Sequence, residues 1–201
     1  MGRGLFVTFE GAEGSGKTTQ VELLLDWLAR RDPVVVREPG GTELGEKIRE
    51  LVLLTGIVIE PEAEMFLFMA ARRQLVSEVI EPSLAAGRIV IADRYHDSTL
   101  AYQGGGRGLE IGWPPSLPRP DVTFLLEGPV EIGLGRHHGA GKTPDRLELE
   151  PAEFYERVTA AYIRLAEAEP GRYVRLDATR SRERVHLDVR HKLEPIVEAL
   201  R

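Results

Sequence analysis

The 201-residue chain contains no cysteine. Disulfides, iron–sulfur clusters and thiolate zinc sites are therefore excluded. Asparagine is also absent, and glutamine occurs only three times. Scarcity of thermolabile amides fits a thermophilic source or a skewed base composition. Lysine is sparse, with four residues against 22 arginines. No apolar run approaches the roughly 18 residues of a transmembrane helix. Met1-Gly-Arg-Gly leads into a short apolar segment without a signal-peptide pattern, and Phe6 breaks the myristoylation pattern. A cytoplasmic enzyme is the expectation. The net charge of −6 argues against a surface made for nucleic acid, and no membrane partner is expected.

What is present is ordinary globular composition, 42% hydrophobic and 29% charged, in one domain spanning 1–201. No repeat, linker or low-complexity tract interrupts it. Short apolar runs at Leu5–Phe9, Val34–Val36, Ile89–Ala92, Val122–Leu126 and Tyr173–Leu176 read as buried strands. Helical patterns fill Lys17–Arg30, Gly45–Leu54, Pro61–Ala86, Pro151–Ala168 and Glu183–Leu200, with Gly87 a C-cap and Pro151 in a first turn. Non-alternating strands separated by helices predict a three-layer α/β fold with a parallel sheet. Its chemistry is expected just beyond the strands' carboxyl ends.

After the first strand comes Gly11-Ala12-Glu13-Gly14-Ser15-Gly16-Lys17-Thr18, the G-x-x-x-x-G-K-[ST] phosphate loop. Its glycines let backbone N–H groups converge on phosphate oxygens at a helix N-terminus. Lys17 is expected at the β- and γ-phosphates and the Thr18 hydroxyl on Mg²⁺. A decoy, Gly139-Ala-Gly-Lys142-Thr143, fails because Arg136 stands where its first glycine should be; it reads as a basic loop. The third strand ends in Asp93-Arg94, an acidic group placed to orient Mg²⁺ or its waters. These elements imply nucleoside-triphosphate binding. A GTPase reading guanine through Asn-Lys-x-Asp is disfavoured, since the chain has no asparagine. An ATP-dependent regulator remains an alternative.

The sequence resembles the thymidylate kinase family along almost its whole length. The resemblance rests on Phe9-Glu10-Gly11 through Thr18-Thr19, Arg37-Glu38-Pro39-Gly40-Gly41-Thr42, Phe68-Met-Ala-Ala-Arg72, and Asp93-Arg94-Tyr95 through Ser98-Thr99 to Tyr102-Gln103-Gly-Gly-Gly-Arg-Gly. It implies a five-stranded P-loop NTPase fold with a mobile lid near 136–147, in homodimers that phosphorylate dTMP to dTDP with Mg-ATP. It places Arg49 and Arg94 on the acceptor phosphate, where two guanidinium forks suit a dianion. On residues alone, Arg49 reads as a solvated helix residue.

The resemblance further implies that Glu13 meets the dTMP 3′-hydroxyl. Phe68 stacks on thymine and Arg72 donates to its O4; by sequence alone Phe68 could be core. Arg37 and Pro39 approach the acceptor, Ser98, Thr99 and Gln103 contact sugar and base, and Tyr102 crowds the ribose 2′ position. Arg136 packs on adenine, and the Asp177-Ala-Thr-Arg180 loop frames it. Two departures stand out: Glu127-Gly128 where Asp is expected, and a lid with few cations. Gly14 stands where some relatives carry Arg. The catalytic cation is therefore expected from the lid, Arg146 first and Lys142 second. His137 and His138 read as solvated loop residues.

A monophosphate acceptor has a second pKa near 6, so its attacking oxygen is anionic at neutral pH and needs no general base. Alignment and charge neutralisation suffice. The alternative enzymes are another nucleotide kinase or a deoxynucleoside kinase.

Overall fold

The structure is a computed structural model and describes residues 3–129 and 144–200. Five parallel strands form one sheet: β1 (Phe6–Glu10), β2 (Val34–Arg37), β3 (Val90–Asp93), β4 (Val122–Glu127) and β5 (Tyr173–Asp177). Their spatial order is β2-β3-β1-β4-β5, with Phe6 beside Val90 and Val7 beside Val122. The three-layer α/β reading holds, each strand extending one residue past the sequence-based end. Those last residues include Glu10, Arg37, Asp93 and Asp177, so each apolar run delivers a charged group to the same edge.

Alternate strand residues serve the two faces. Val7, Phe9, Ile91, Val122, Phe124 and Leu126 pack under α1 (Lys17–Trp27) and the last helix. Phe6, Val36, Val90 and Ala92 pack on the opposite side with Leu75, Val76 and Ile80. Helix α2 (Glu43–Leu53) begins earlier than its apolar pattern suggests because Thr42 caps it, accepting from Gly45 N at 3.0 Å. Helix α3 (Pro61–Leu75) starts with Pro61 in its first turn, and the Glu60 carboxylate accepts from Glu62 N and Ala63 N.

The expected helix over Pro61–Ala86 is not uniform. It widens into a π turn at Val76–Ile80 before α4 (Glu81–Ala85). Pro82 explains the widening, since it lacks an N–H and its ring crowds a carbonyl one turn back. Gly87 does close this helix, at φ 76°. A helical segment that the sequence reading left out follows β3: α5 (His96–Thr99) continues as a π helix over Leu100–Gly106. Its glycines hide it from periodicity. Two of them are required by close approach to α6 (Ala152–Ala168): a Cβ on Gly105 would lie 2.4 Å from Ala161 Cβ, and one on Gly106 2.4 Å from Phe154 Cε2. Helix α7 (Arg182–Ala199) closes the chain, capped by Ser181.

Candidate active site

A cleft of about 1300 Å³ runs along the carboxyl edge of the sheet. That exceeds the upper end of common ligand pockets, roughly 1,000 Å³. Its floor is the loop after β1. Gly11 there adopts φ 140°, and a Cβ on it would sit 2.5 Å from the Leu126 carbonyl oxygen, so only glycine fits. Gly14, Ser15, Gly16, Lys17, Thr18 and Thr19 line the cleft. Lys17 Nζ donates to the carbonyls of Gly11 and Ala12 at 3.1 and 2.8 Å. Burial, together with the charge of Arg94, lowers its pKa to about 8. Thr18 Oγ1 donates to Asp93 Oδ2 at 2.7 Å. This hydroxyl and carboxylate supply hard oxygen ligands beside the phosphate loop. That is the donor set a Mg²⁺ shared with nucleotide phosphates uses. No cluster of three or more His or acidic residues suited to a metal occurs among the described residues.

Arg94 sits at the centre. Its backbone is left-handed, at φ 72°. Nη1 donates to Gly11 O at 3.1 Å, Ser98 Oγ at 3.1 Å and Tyr162 Oη at 3.3 Å; Nη2 donates to Glu13 Oε1 at 2.5 Å and Tyr102 Oη at 3.1 Å. Beneath it lies Glu10, wholly buried. Glu10 Oε1 accepts from Tyr95 N at 2.8 Å; its Oε2 accepts from Ser98 Oγ at 2.6 Å and Tyr162 Oη at 2.8 Å. Burial, reinforced by Asp97, pushes the Glu10 carboxyl up to about 7. Glu10 thus fixes both the backbone after Arg94 and two hydroxyls that meet its guanidinium.

On the β2 side, Arg49 Nη1 donates to Pro39 O at 2.9 Å, and Arg37 Nη2 donates to Glu46 Oε2 at 3.1 Å. Both arginines and Pro39 line the cleft. Burial and the charge of Arg37 lower the Arg49 pKa, marking two cations that share one region. Phe68 lines the cleft and also packs with Ile48 and Val52. Phe68 thus borders both the cleft and a hydrophobic cluster.

Arg72 lines the cleft but is only 2% exposed, and its fork is directed into protein. Nε donates to Glu38 Oε2 at 2.6 Å, Nη1 to Thr99 Oγ1 at 2.8 Å and Nη2 to Tyr95 O at 3.0 Å. Glu38 is buried with it, and burial raises its carboxyl against the pull of Arg72. Gln103 Nε2 donates to Glu64 Oε1 at 2.8 Å. On the β5 side, Ala178, Thr179 and Arg180 line the cleft, Arg180 pairing with Asp188.

The structure thus brings to one cleft, beside a smaller adjoining pocket lined by Gly11 and Ala12, the loop residues Glu13 to Thr19, Asp93, Arg94, the acceptor-side residues and Arg180. It does not bring Arg146 there. Arg146 Nε donates to Val52 O at 2.9 Å, and Nη2 lies 2.6 Å from Glu64 Oε2. In this structure a fully buried carboxylate on α3 holds the Arg146 guanidinium, while its neighbours Asp145, Leu147 and Glu148 line the cleft. Glu64 itself looks like any helix acid in the sequence. Arg136, His137, His138 and Lys142 lie outside the described residues. Glu127 pairs with Arg175 on β5, tying β4 to its neighbour. Sequence reasoning gave no role to Glu10, Glu38, Glu64 or Tyr162; Glu10 and Glu38 lie inside the motifs that carry the resemblance, whereas no local pattern flags Glu64 or Tyr162.

A family model described as thymidylate kinase matches residues 9–189. A thymidylate kinase of Chromobacterium violaceum is 46% identical over 98% of this chain and 96% of that protein. One from Thermomicrobium roseum is 51% identical over 87% of each. The crystal structure of thymidylate kinase from Ehrlichia chaffeensis superposes with a TM-score of 0.74 at 32% identity, covering 95% of this chain and 99% of that one.

Proposed function

Because the chain belongs to the thymidylate kinase family and phosphorylates dTMP, we propose that the two halves of its cleft hold the two reactants and that Arg94 joins them. ATP is the donor, its phosphates cradled by Gly11–Thr19 and Lys17, its base toward Ala178–Arg180. The acceptor lies over Pro39, Phe68, Ser98, Tyr102 and Gln103, with Arg37, Arg49 and Arg94 toward its phosphate. The observation that carries this reading is the Arg94 guanidinium: it touches the phosphate loop at Gly11 O and Glu13, and the acceptor side at Ser98 and Tyr102.

The chemistry follows from charge. The acceptor phosphate is already anionic at neutral pH, so no side chain need take its proton. Lys17 and Arg94 offset the charge that gathers on the transferred group. In this structure Glu13 occupies one arm of Arg94, so an acceptor dianion competes with Glu13 for that arm. The displaced carboxylate stays within reach of the sugar. Mg²⁺, when bound at Thr18 and Asp93, neutralises phosphate charge.

We read 1–201 as one domain acting in the cytoplasm, where both nucleotides occur, and as a homodimer. Leu44 and Leu51, seven residues apart on one stripe of α2, and Phe66 on α3 are exposed, which supports a second copy covering this face. Sedimentation should give about twice 22.4 kDa. The deciding experiment is coupled ADP release with dTMP, other monophosphates and thymidine, with and without chelator. The reading expects dTMP to dominate, with metal dependence. Efficient turnover of thymidine would reject the monophosphate acceptor.

A further inference from the structure

Glu64, Phe68 and Arg72 follow one another at four-residue intervals on α3, so they share one face. Phe68 and Arg72 line the cleft; Glu64 does not, and its side chain has no exposure at all. A buried carboxylate needs partners, and Glu64 has three. Gln103 Nε2 donates to Oε1 at 2.8 Å, Arg107 Nη2 to Oε2 at 3.2 Å, and Arg146 Nη2 lies 2.6 Å from Oε2. Burial raises its carboxyl, but these partners together hold it below the usual range.

The contact with Gln103 has a chemical consequence. An ionised carboxylate only accepts hydrogen bonds. An amide facing it at 2.8 Å must present its NH₂, because the flipped amide would set two acceptors against each other. The Gln103 carbonyl oxygen is thereby turned the other way. It accepts from no described residue and is not among the sealed, unpartnered buried atoms, while Gln103 lines the cleft. The π-helical turn carries Gln103 to the cleft that Phe68 also lines. Arg72, which lines the same cleft, directs its Nε, Nη1 and Nη2 to Glu38, Thr99 and Tyr95.

We propose that Glu64 is a positioning residue for base selection, locking the Gln103 amide so that the cleft offers a pyrimidine an acceptor. Thymine meets it with its N3–H donor. Cytosine presents a bare N3 acceptor there and is repelled. The proposal rests on the reading that Gln103 faces the base. Arg107 and Arg146 serve to keep Glu64 ionised.

The test compares kcat/KM for dTMP and dCMP. In Glu64→Gln the neutral amide pairs with Gln103 in either orientation. The dTMP/dCMP ratio should then narrow by about tenfold or more, through a higher KM for dTMP, with the KM for ATP unchanged. Arg107→Met also removes a Glu64 partner, but Arg146 and Gln103 still face the carboxylate and keep it ionised, so it should lower stability and keep the ratio. A narrowing in Arg107→Met as large as in Glu64→Gln would mean the effect is loss of packing, and overturns the proposal. An unchanged ratio in Glu64→Gln, with Gln103→Ala narrowing it, overturns the role of Glu64 alone. An unchanged ratio in Gln103→Ala removes Gln103 from base reading and the proposal with it. Should Glu64→Gln not fold, the unaltered protein still answers. N3-methyl-dTMP should lose about 10²-fold in kcat/KM, and near-normal turnover would overturn the acceptor assignment.

Discussion

Replacing Arg72 by leucine strands Glu38. The pair is almost solvent-free, with side-chain exposures of 2% and 3%, at 2.6 Å. Breaking a buried pair by removing one partner costs about 3–5 kcal/mol, because the remaining charge has no compensation. For a chain of this size each kcal/mol moves Tm by about 2–4 °C, so Arg72→Leu should melt roughly 6–20 °C lower at pH 8. The sign of the pH dependence follows from Glu38, whose folded-state carboxyl lies above its ordinary value because of burial. Without Arg72 it rises further. Between the unfolded and folded values the native state holds a proton that the unfolded chain has lost, so stability falls as pH rises. The limiting slope is about 1.4 kcal/mol per pH unit. Urea titrations followed by circular dichroism at pH 5.5 and 8 should therefore show a larger deficit at pH 8. The double variant Glu38→Leu/Arg72→Leu should recover most of it. A deficit below about 1 kcal/mol, or one equal at both pH values, would refute the reasoning.

With the Lys17 pKa near 8, ATP binding at pH 8.5 should take up protons as phosphate charge restores the ammonium. Calorimetry in buffers of different ionisation enthalpy measures this, and Lys17→Met should abolish it. The Glu10 carboxyl, raised to about 7, should make stability decline as pH rises from about 4.5 to 7; Glu10→Gln should flatten that slope in urea titrations across the interval. Gly106→Ala places a methyl 2.4 Å from Phe154 and should cost about 1–3 kcal/mol, read as a lower Tm. Arg146→Ala should lower Tm by loosening Glu64 while keeping kcat within about tenfold. A 10²-fold loss of kcat at unchanged Tm, the size of an arginine-finger effect, would place Arg146 at the transferred phosphoryl.

The layers, strand sites and phosphate loop were legible because they depend on local pattern. A buried strand must be apolar, and close backbone approach to phosphate demands glycine at set spacing. The helix over His96–Gly106 was illegible, since three glycines erase periodicity and it takes Ala161 and Phe154, some fifty residues on, to explain Gly105 and Gly106. Arg146 shows the same limit at the site. Its neighbours Pro144 and Asp145 suggest a lid cation, but its pairing with Glu64, more than eighty residues earlier, follows no local pattern. Which donors of Arg72 are free likewise depends on Glu38 and Tyr95, which share no spacing rule with it.

The strand order carries a cost in time. β1 lies in the middle of the sheet, yet its two neighbours are β3 and β4, so Phe6 waits for Val90 and Val7 for Val122. During synthesis at about 5–20 residues per second, the fully buried strand Phe6–Glu10 emerges roughly 4–17 s before β3. Throughout that interval its five residues have no sheet to enter. Such pairing across long sequence separations is slow for reasons of loop closure. The strand that ends up best protected is thus the one longest exposed on the ribosome, where a nascent chain would most need a chaperone's cover.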